Sequence, residues 1–365
     1  MKIRDIISHL ELIAPLQLQE SYDNAGLITG NTDWDCNGIL VSLDATEEVI
    51  QEAIEKKCNL VVAHHPIVFG GLKKITGRNY VERTVIAAIK NDIAIYAIHT
   101  NLDNVISGVN GKMADMLGLV NRQILLPKSR LLKKLIVFVP SAAAENLRTA
   151  IFTAGGGHIG NYSECSFNTT GEGTFKAGKG ANPYAGSMGE RHTEQEVKVE
   201  VIFQSWLESK LIKAMLAAHP YEEVAYDIMP LENELSTTGT GLIGELSTTM
   251  DESACLSHIK KVFGLTVIRH TPLTGQPVKK IAVCGGAGSF LIKAAIHAGA
   301  RFYITADVKY HEFFDAEKRL VIADIGHYES EQYTISLLFD ILKEKYPTFA
   351  VLKTEINTNP VHYFL

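Results

Sequence analysis

Short apolar runs alternate with amphipathic segments over the first part of the chain. Isoleucine and leucine recur at helical spacing over residues 3–13, which predicts an amphipathic helix. Apolar runs with β-branched residues at 38–44, 59–63 and 93–98 predict buried strands, and the segments between them predict helices. A strand, a helix and a strand of this length form a parallel pair with a right-handed crossover. This part of the chain is therefore predicted to be α/β.

The pattern changes near Lys133, where the predicted elements follow the order β-α-β-β-α-β of a ferredoxin-like (α+β) domain. Residues 171–195 are rich in glycine, lysine, asparagine and serine and predict a long mobile loop, and residues 236–241 predict a linker. Residues 219–223 hold a histidine and two glutamates and predict a surface turn rather than a second metal site. The expected organisation is a discontinuous α/β domain of residues 1–131 and 236–365 with an inserted domain of residues 132–235.

The last third of the chain again predicts strands and helices in alternation. Val41 lies 23 residues before His64, and Val283 lies 23 residues before Ala306. We interpret this equal spacing as a weak internal duplication, in which two βαβ halves direct polar residues to a common edge. The glycine-rich residues 285–289 follow a predicted strand. They either bind a phosphate through backbone N–H groups at a helix N-terminus or form only a tight turn.

Polar residues follow two neighbouring predicted strands at the point where each strand ends. His64 and His65 precede Pro66, which ends their strand, and His99 and Asp103 follow the next strand along the chain. Imidazole is the commonest side-chain metal ligand, and the carboxyl ends of parallel strands share one edge where ligands bind. These residues are therefore candidate metal ligands. His99 is either a ligand or a residue that orients a ligand without binding the metal. The alternative is that the histidines cap the strand and the aspartate caps the next helix.

Two further groups of polar residues follow strands of the last third. His327 and Glu331 open a predicted helix and share one of its faces, because they are four residues apart. A histidine and a carboxylate so placed suit a divalent metal, although the glutamate is also favoured there by the helix dipole alone. The candidates for proton transfer or for orienting the ligands are Asp307, His311 and Glu312.

Composition narrows the classes of function. The 365 residues are 46% hydrophobic and 21% charged, which is typical of globular proteins and enough for two or three domains. A net charge of −6 and a pI near 6.1 argue against a general nucleic-acid binder. No apolar run has membrane-spanning length, and the N-terminus lacks signal-peptide features. Five scattered cysteines without CxxC spacing predict a reducing cytoplasm and no thiolate metal site.

In their order along the chain, these motifs resemble those of the GTP cyclohydrolase I type 2 homologue family, also called the NIF-three-like family. The resemblance is carried by His64-His65-Pro66, His99 with Asp103, Asp307 through Glu312, Gly326-His327 with Glu331, and Asn357 to Pro360. It covers nearly all of 1–131 and 236–365, whereas the inserted segment resembles the PII/CutA-like domain of long bacterial members. One departure is Tyr22, where many members have tryptophan.

The resemblance implies a toroidal homohexamer with two metal ions per subunit, and the matched ligands are His64, His65, Asp103, His327 and Glu331. Such a ligand set suits two ions about 3.5–4 Å apart with a bridging carboxylate. Zinc, iron and manganese all fit these ligand types. The resulting hypothesis is a cytoplasmic metal-dependent hydrolase of a nucleotide or related small molecule. The alternative is a non-enzymatic metal-binding or regulatory hexamer whose inserted domain senses a ligand.

Overall fold

The computed structural model describes residues 1–364, which form a mixed α/β fold with several sheets. The chain divides into two compact units. Unit 1 comprises Met1–Pro127 and the chain from Ser236 onward, and the inserted unit comprises Lys128–Leu235. Within residues 1–364, no helix is both long enough and apolar enough to span a bilayer.

The strands and helices are numbered in chain order. The strands of the described residues are β1 (Gly26–Thr29), β2 (Ile39–Ser42), β3 (Leu60–Ala63), β4 (Ala94–Ala97), β5 (Leu119–Ser129), β6 (Leu132–Pro140), β7 (Phe167–Lys176), β8 (Arg191–Gln204), β9 (Tyr226–Leu231), β10 (Glu234–Met250), β11 (Arg269–His270), β12 (Val278–Ala287), β13 (Phe302–Ala306), β14 (Val321–Asp324) and β15 (Val351–Lys353). The helices of the same residues are α1 (Ile3–Ile13), α2 (Glu47–Glu55), α3 (Tyr80–Lys90), α4 (Thr100–Asp103), α5 (Val109–Met116), α6 (Ala144–Thr153), α7 (Glu208–Ala218), α8 (Glu252–Val262), α9 (Ile292–His297), α10 (His327–Glu331) and α11 (Thr334–Lys345).

The first sheet of unit 1 has the strand order β1-β4-β3-β2-β15. Strands β4, β3, β2 and β15 run parallel, and β1 is antiparallel to β4. Every residue of β2, β3 and β4 is buried, which explains why their sequences are almost continuously apolar. Thr46 caps the crossover helix α2 by accepting the Val49 N–H at 3.4 Å. Because the strands are parallel, their carboxyl ends meet at one edge.

The second sheet of unit 1 has the order β11-β14-β13-β12-β10-β5, and β12, β13 and β14 run parallel. Helices α5 and α8 contribute to the core on one face, and α9 contributes to the core on the other. Val41 pairs with Val62 in the first sheet and Val283 pairs with Ile304 in the second. The pairing partner therefore lies the same number of residues further along the chain in both βαβ units.

The inserted unit has its own sheet and core. Its elements follow the predicted order β6-α6-β7-β8-α7-β9, and its antiparallel sheet has the order β7-β8-β6-β9. Alternate residues of β8 are buried against α6 and α7, as Val197, Val199 and Val201 show. This alternation is what a sheet with one solvated face requires.

The expected loop at 171–195 is wrong at both ends, because β7 extends to Lys176 and β8 begins at Arg191. Strand β7 is exposed along most of its length, so it has no apolar alternation that could reveal it. The expected linker at 236–241 is also wrong, because it lies within β10. A Cβ on Gly239 would lie 2.2 Å from the Leu126 carbonyl oxygen, so this glycine is needed for close strand approach.

The predicted single helix from His327 to about Lys345 is interrupted. Helix α10 ends at Glu331 and α11 begins at Thr334. Tyr333 lies at the break and packs against Phe263, with their ring centroids 6.0 Å apart. An aromatic followed by β-branched residues has a lower helix propensity than straight side chains, which weakens the helix at this point.

Candidate metal centre

The end of β3 places His64 and His65 at the carboxyl edge of the first sheet. The Nδ1 atom of His64 lies 2.8 Å from the Ile98 carbonyl oxygen, to which it must donate, so its Nε2 atom remains for a ligand. The Nδ1 atom of His65 lies 2.7 Å from Oδ1 of Asp44, which follows β2 at the same edge. Both imidazoles are therefore fixed through Nδ1 and keep Nε2 for the cluster.

The end of β4 supplies His99 and Asp103. His99 is anchored through Nδ1, which lies 2.8 Å from Asp23 Oδ1. Oδ1 of Asp103 lies 3.7 Å from Nε2 of His64. The helix-capping alternative for Asp103 is wrong, because the residue that precedes α5 at its start is Gly108.

The end of β14 leads into α10, which carries His327 and Glu331 on one face. Nε2 of His327 lies 3.0 Å from Oε2 of Glu331, and its Nδ1 atom lies 2.6 Å from Oδ2 of Asp307. Asp307 follows β13 with φ of +53°, a left-handed conformation that aspartate tolerates better than most residues. This turn places the Asp307 carboxylate behind His327.

The two sheet edges of unit 1 bring these side chains into one cluster around Glu331. Oε2 of Glu331 lies 2.9 Å from Nε2 of His65, and Oε1 lies 3.9 Å from Nε2 of His64. Three groups of residues have ligand atoms within 4.8 Å of one another: His64, His65 and His99; His65, His327 and Glu331; and His64, Asp103 and Glu331. The structure therefore contains buried histidine and carboxylate groups that can hold a metal ion.

Two candidate ligand atoms of the cluster show whether a metal ion fits. Nε2 of His64 and Oδ1 of Asp103 are both buried, and neither has a hydrogen-bond partner among residues 1–364. A buried polar atom without a partner costs about 1–3 kcal/mol. Imidazole nitrogen and carboxylate oxygen are ordinary ligands of divalent ions. A metal ion would satisfy both atoms, so the residues fit such a group.

The cluster attracts positive charge. Burial opposes the charging of His65, but its hydrogen bonds to Asp44 and Glu331 raise its pKa to about 10. Burial likewise opposes the charging of His327, while Glu331 and then Asp307 raise its pKa to about 9. Burial raises the pKa of Asp103 to about 7, and the nearby Glu331 charge acts in the same direction. A bound cation would take the place of the protons that these two imidazoles and Asp103 otherwise hold.

Comparisons with known proteins identify the family of this chain. The model of the family Duf34/NIF3 (NGG1p interacting factor 3) matches residues 1–360. The chain belongs to the Duf34/NIF3 family. A relative from Halalkalibacterium halodurans, named GTP cyclohydrolase 1 type 2 homolog, is 39% identical over 360 residues and 97% of each chain. One from Bacillus subtilis with the same name is 37% identical over 98% of this chain and 97% of its own.

A solved structure of a Duf34/NIF3 relative has the same fold. It is a Bacillus cereus protein described as related to NIF3, with 37% sequence identity and a TM-score of 0.86. The match covers 100% of this chain and 99% of that one. The family resemblance inferred from the motifs is therefore confirmed over the whole chain.

The glycines at the end of β12, the strand of Val283, pack against the cluster of this Duf34/NIF3 chain. Gly285 and Gly286 lie within β12, and the tight turn into the next helix is confined to Gly288. A Cβ on Gly286 would lie 2.5 Å from Oε1 of Glu331 and 3.3 Å from the His327 ring. Gly286 also has φ of +62°, which favours glycine. These glycines make room for the Glu331 side chain. The helix α9, which follows them in the chain, is short.

His311 and Glu312 lie apart from the side-chain contacts of the cluster. Both are in a 3₁₀ helix at Tyr310–Ala316, where the His311 ring contacts Tyr310 at 5.1 Å between centroids. Glu312 accepts the backbone N–H of Lys309 at 2.8 Å and so caps its own helix. Of the three residues expected to transfer protons or orient ligands, Asp307 is the one in contact with the cluster.

Three anchoring contacts were missed from the sequence. Asp44 holds His65 and accepts the Thr358 hydroxyl at 2.5 Å, and Asp23 holds His99. Asp44 could have been found, because it follows a parallel strand just as His64 does. Asp23 lies in a polar stretch before β1, and no spacing in the sequence indicates that its loop reaches the end of β4. Hydrogen bonds to His99 and Thr100 outweigh burial and lower the Asp23 pKa to about 2.

Proposed function

We propose that this protein is a dinuclear metal-dependent hydrolase of a nucleotide or a related small molecule. The observation that carries the proposal is the pair of buried ligand atoms on His64 and Asp103 that lack a hydrogen-bond partner among residues 1–364, inside a cluster that attracts positive charge. The names of the relatives from Halalkalibacterium halodurans and Bacillus subtilis point to cyclohydrolase chemistry and support a nucleotide as the first substrate class to test.

The proposed ligands are His64, His65, Asp103, His327 and Glu331, and the proposed ions are two of zinc, iron or manganese per subunit. Bound ions of this kind polarise substrate oxygens and activate water for hydrolysis. Glu331 is the carboxylate that two of the ligand groups share, which supports a two-ion arrangement. Asp44 and Asp307 hold the Nδ1 atoms of two histidines and so keep their Nε2 atoms directed to the cluster.

A pocket of about 470 Å³ adjoins the cluster at His65 and His327 and is the proposed substrate site. Arg269 lies on its wall and is held by Asp324 at 3.1 Å. Asn359 lines the same pocket and donates to Glu329 at 3.2 Å. These side chains bind and orient a polar substrate beside the two histidines.

We further propose that Asp307, His311 and Glu312 assist the reaction, with different roles. Asp307 is a positioning residue, because it acts through His327. His311 and Glu312 would contact a substrate or transfer its protons from outside the cluster, since the His311 side chain is exposed. General acid–base groups typically contribute about 10²–10⁴-fold to the rate.

The second candidate is a non-enzymatic metal-binding or regulatory protein whose inserted unit senses a ligand. A cavity within Lys128–Leu235 specifically favours it. We propose that this unit is a ferredoxin-like, PII/CutA-like domain, on its element order and antiparallel sheet. We also propose a cytoplasmic homohexamer. The cysteines, which are free thiols, support the compartment, and the family resemblance supports the assembly.

The test is a metabolite panel with metal-reconstituted protein, beginning with GTP and continuing with other nucleotides and simple phosphoesters. The proposal expects turnover that is lost together with bound metal in Asp103→Ala. It expects His311→Ala to keep its metal and to lose about 10²–10⁴-fold in turnover. Turnover of no panel member by fully metallated protein contradicts the hydrolase. An activity that persists unchanged in Asp103→Ala is contamination and contradicts it as well.

A further inference from the structure

The inserted unit contains a cavity of about 670 Å³. Its walls come from the β7–β8 hairpin, from residues 177–184 after β7, and from the turn at 221–225 before β9. This volume is within the range of small-molecule sites, which are concave and largely apolar. The cavity lies wholly within Lys128–Leu235, so a ligand there depends on neither the metal centre nor its chemistry.

Aromatic rings gather along one wall of the cavity. The ring of Tyr221 lies 5.8 Å from that of Phe175 and 5.9 Å from that of Tyr184, between centroids. His219 fixes this turn, because its Nε2 donates to the Phe138 carbonyl at 2.9 Å and its Nδ1 accepts the Tyr221 N–H at 3.1 Å. His219 itself is buried, whereas Glu222 and Glu223 of the same turn are exposed, as a surface turn requires. Tyr184 is 58% exposed and offers an open ring face for stacking.

Carboxylates outnumber amines on the cavity wall. The charged lining residues are Glu172, Glu196, Glu222, Glu223, Lys176 and Lys198. Lys198 is ion-paired with Glu200 outside this set, so it offsets less of the negative charge. Glu222 accepts the backbone N–H of Asn182 at 2.7 Å and ties the loop after β7 to the turn.

Glu196 lies beside the aromatic wall and is held there. It accepts the Tyr221 hydroxyl at 2.9 Å. Burial, followed by this contact, raises the pKa of Tyr221, so the tyrosine stays a neutral donor. A Cβ on Gly173 would lie 2.1 Å from Oε2 of Glu196, so the glycine leaves the space that the carboxylate occupies. The cavity therefore combines ring faces with a fixed negative charge.

We propose that this cavity binds a flat aromatic or heteroaromatic cation stacked on the exposed ring of Tyr184, beside Tyr221, with Glu196 compensating its charge. Stacking on an aromatic ring favours a planar ligand, and cation–π attraction favours a positive ligand over a neutral one. A planar anion of the same size would meet the glutamates of the wall, and like charges repel. The proposed ligand is therefore both planar and positively charged.

Proflavine, a flat tricyclic cation, is the probe, and its fluorescence on titration with the full-length chain is the measurement. The proposal expects saturable binding of one molecule per chain. Tyr184→Ala and Glu196→Gln should each raise the Kd about 5- to 20-fold, because each removes one of the two recognition features. The matched controls Tyr162→Ala and Glu164→Gln change exposed residues of the same unit outside the cavity lining, and should leave the Kd unchanged.

Tyr184 is exposed, so its substitution tests the site without a loss of core packing. Absence of saturable binding overturns the proposal, as does an unchanged Kd in both cavity variants. Equal affinity for the planar anion naphthalene-2,6-disulfonate overturns the charge argument. Proflavine binding should persist in His64→Ala. Its loss there would assign the dye to the metal centre and overturn the cavity site.

Discussion

The candidate metal centre of unit 1 and the cavity of the inserted unit differ in how their polar atoms are satisfied. At the metal centre, His64 and Asp103 carry buried atoms that have no hydrogen-bond partner within residues 1–364. At the cavity, the hydroxyl of the lining residue Tyr221 and both ring nitrogens of His219, which holds the Tyr221 turn, have partners. Unpaired buried polar groups cost free energy, so a bound ion that pairs these two atoms would stabilise the first site. In the second site these polar atoms are already paired, so they require no ligand.

Glu331→Gln should have the largest effect on the metal centre. Loss of a residue that hydrogen-bonds to a metal ligand typically weakens metal binding about 10–100-fold. Glu331 contacts His65 and His327 directly, so we expect a loss greater than about 100-fold. Zinc titration by calorimetry measures it. Glu344→Gln, an exposed glutamate of α11, is the control. Equal affinity in the two variants would contradict the central position of Glu331.

A histidine from each region sharpens the contrast. His65→Ala should lose bound metal, since it removes a member of two ligand groups. His219→Ala should keep its metal and destabilise the inserted unit by about 1–3 kcal/mol, because the partners at Phe138 and Tyr221 are left unpaired. Elemental analysis and thermal unfolding separate the two outcomes. A drop in metal content in His219→Ala would contradict the separation of the two regions.

Gly286→Ala tests how tightly the metal centre is packed. The added methyl group would meet Oε1 of Glu331, so we expect metal affinity to fall about tenfold. Gly275→Ala is the matched control, since φ is +74° there and an added Cβ meets nothing within 4 Å. Both variants share the strain of a positive φ, and only the first displaces the glutamate. Similar affinities in the two variants would contradict this packing argument.

Replacement of Lys128–Leu235 by a short Gly/Ser linker should have the smallest effect on metal content, which we expect to be unchanged. Strands β5 and β10 are neighbours in the second sheet, and Gly239 lies against Leu126, so a short linker closes the gap. Proflavine binding should disappear in the same variant. A folded variant without metal would show that the centre depends on the inserted unit, and an unfolded one that unit 1 is not autonomous.

The sequence predicts the structure best where apolar strands end in polar residues. The buried strands β3 and β4 each carry one uniform apolar run, and the parallel arrangement then brings His64, His65 and Asp103 to one edge. His327 and Glu331 were paired by helical spacing, and the structure brings them to the same place. These features depend on local periodicity and on the parallel sheet, both of which the sequence carries.

The sequence carried less where the fold depends on contacts between distant segments. Strand β7 has no buried face to produce an apolar pattern. Asp23 reaches His99 only because its loop folds back onto the end of β4. His311 follows the same strand as Asp307, yet the chain turns into a 3₁₀ helix between the cluster contact and this residue. A single sequence therefore predicts where strands end, but it does not predict the path of the chain after them.

The metal content of the wild-type chain tests the central claim most directly. Protein purified without chelator and reconstituted with zinc, iron or manganese should hold about two ions per chain by elemental analysis. This follows from three overlapping ligand groups and two buried atoms without partners among the described residues. A value near one ion would contradict the dinuclear arrangement. A value near zero after reconstitution would contradict the metal centre itself.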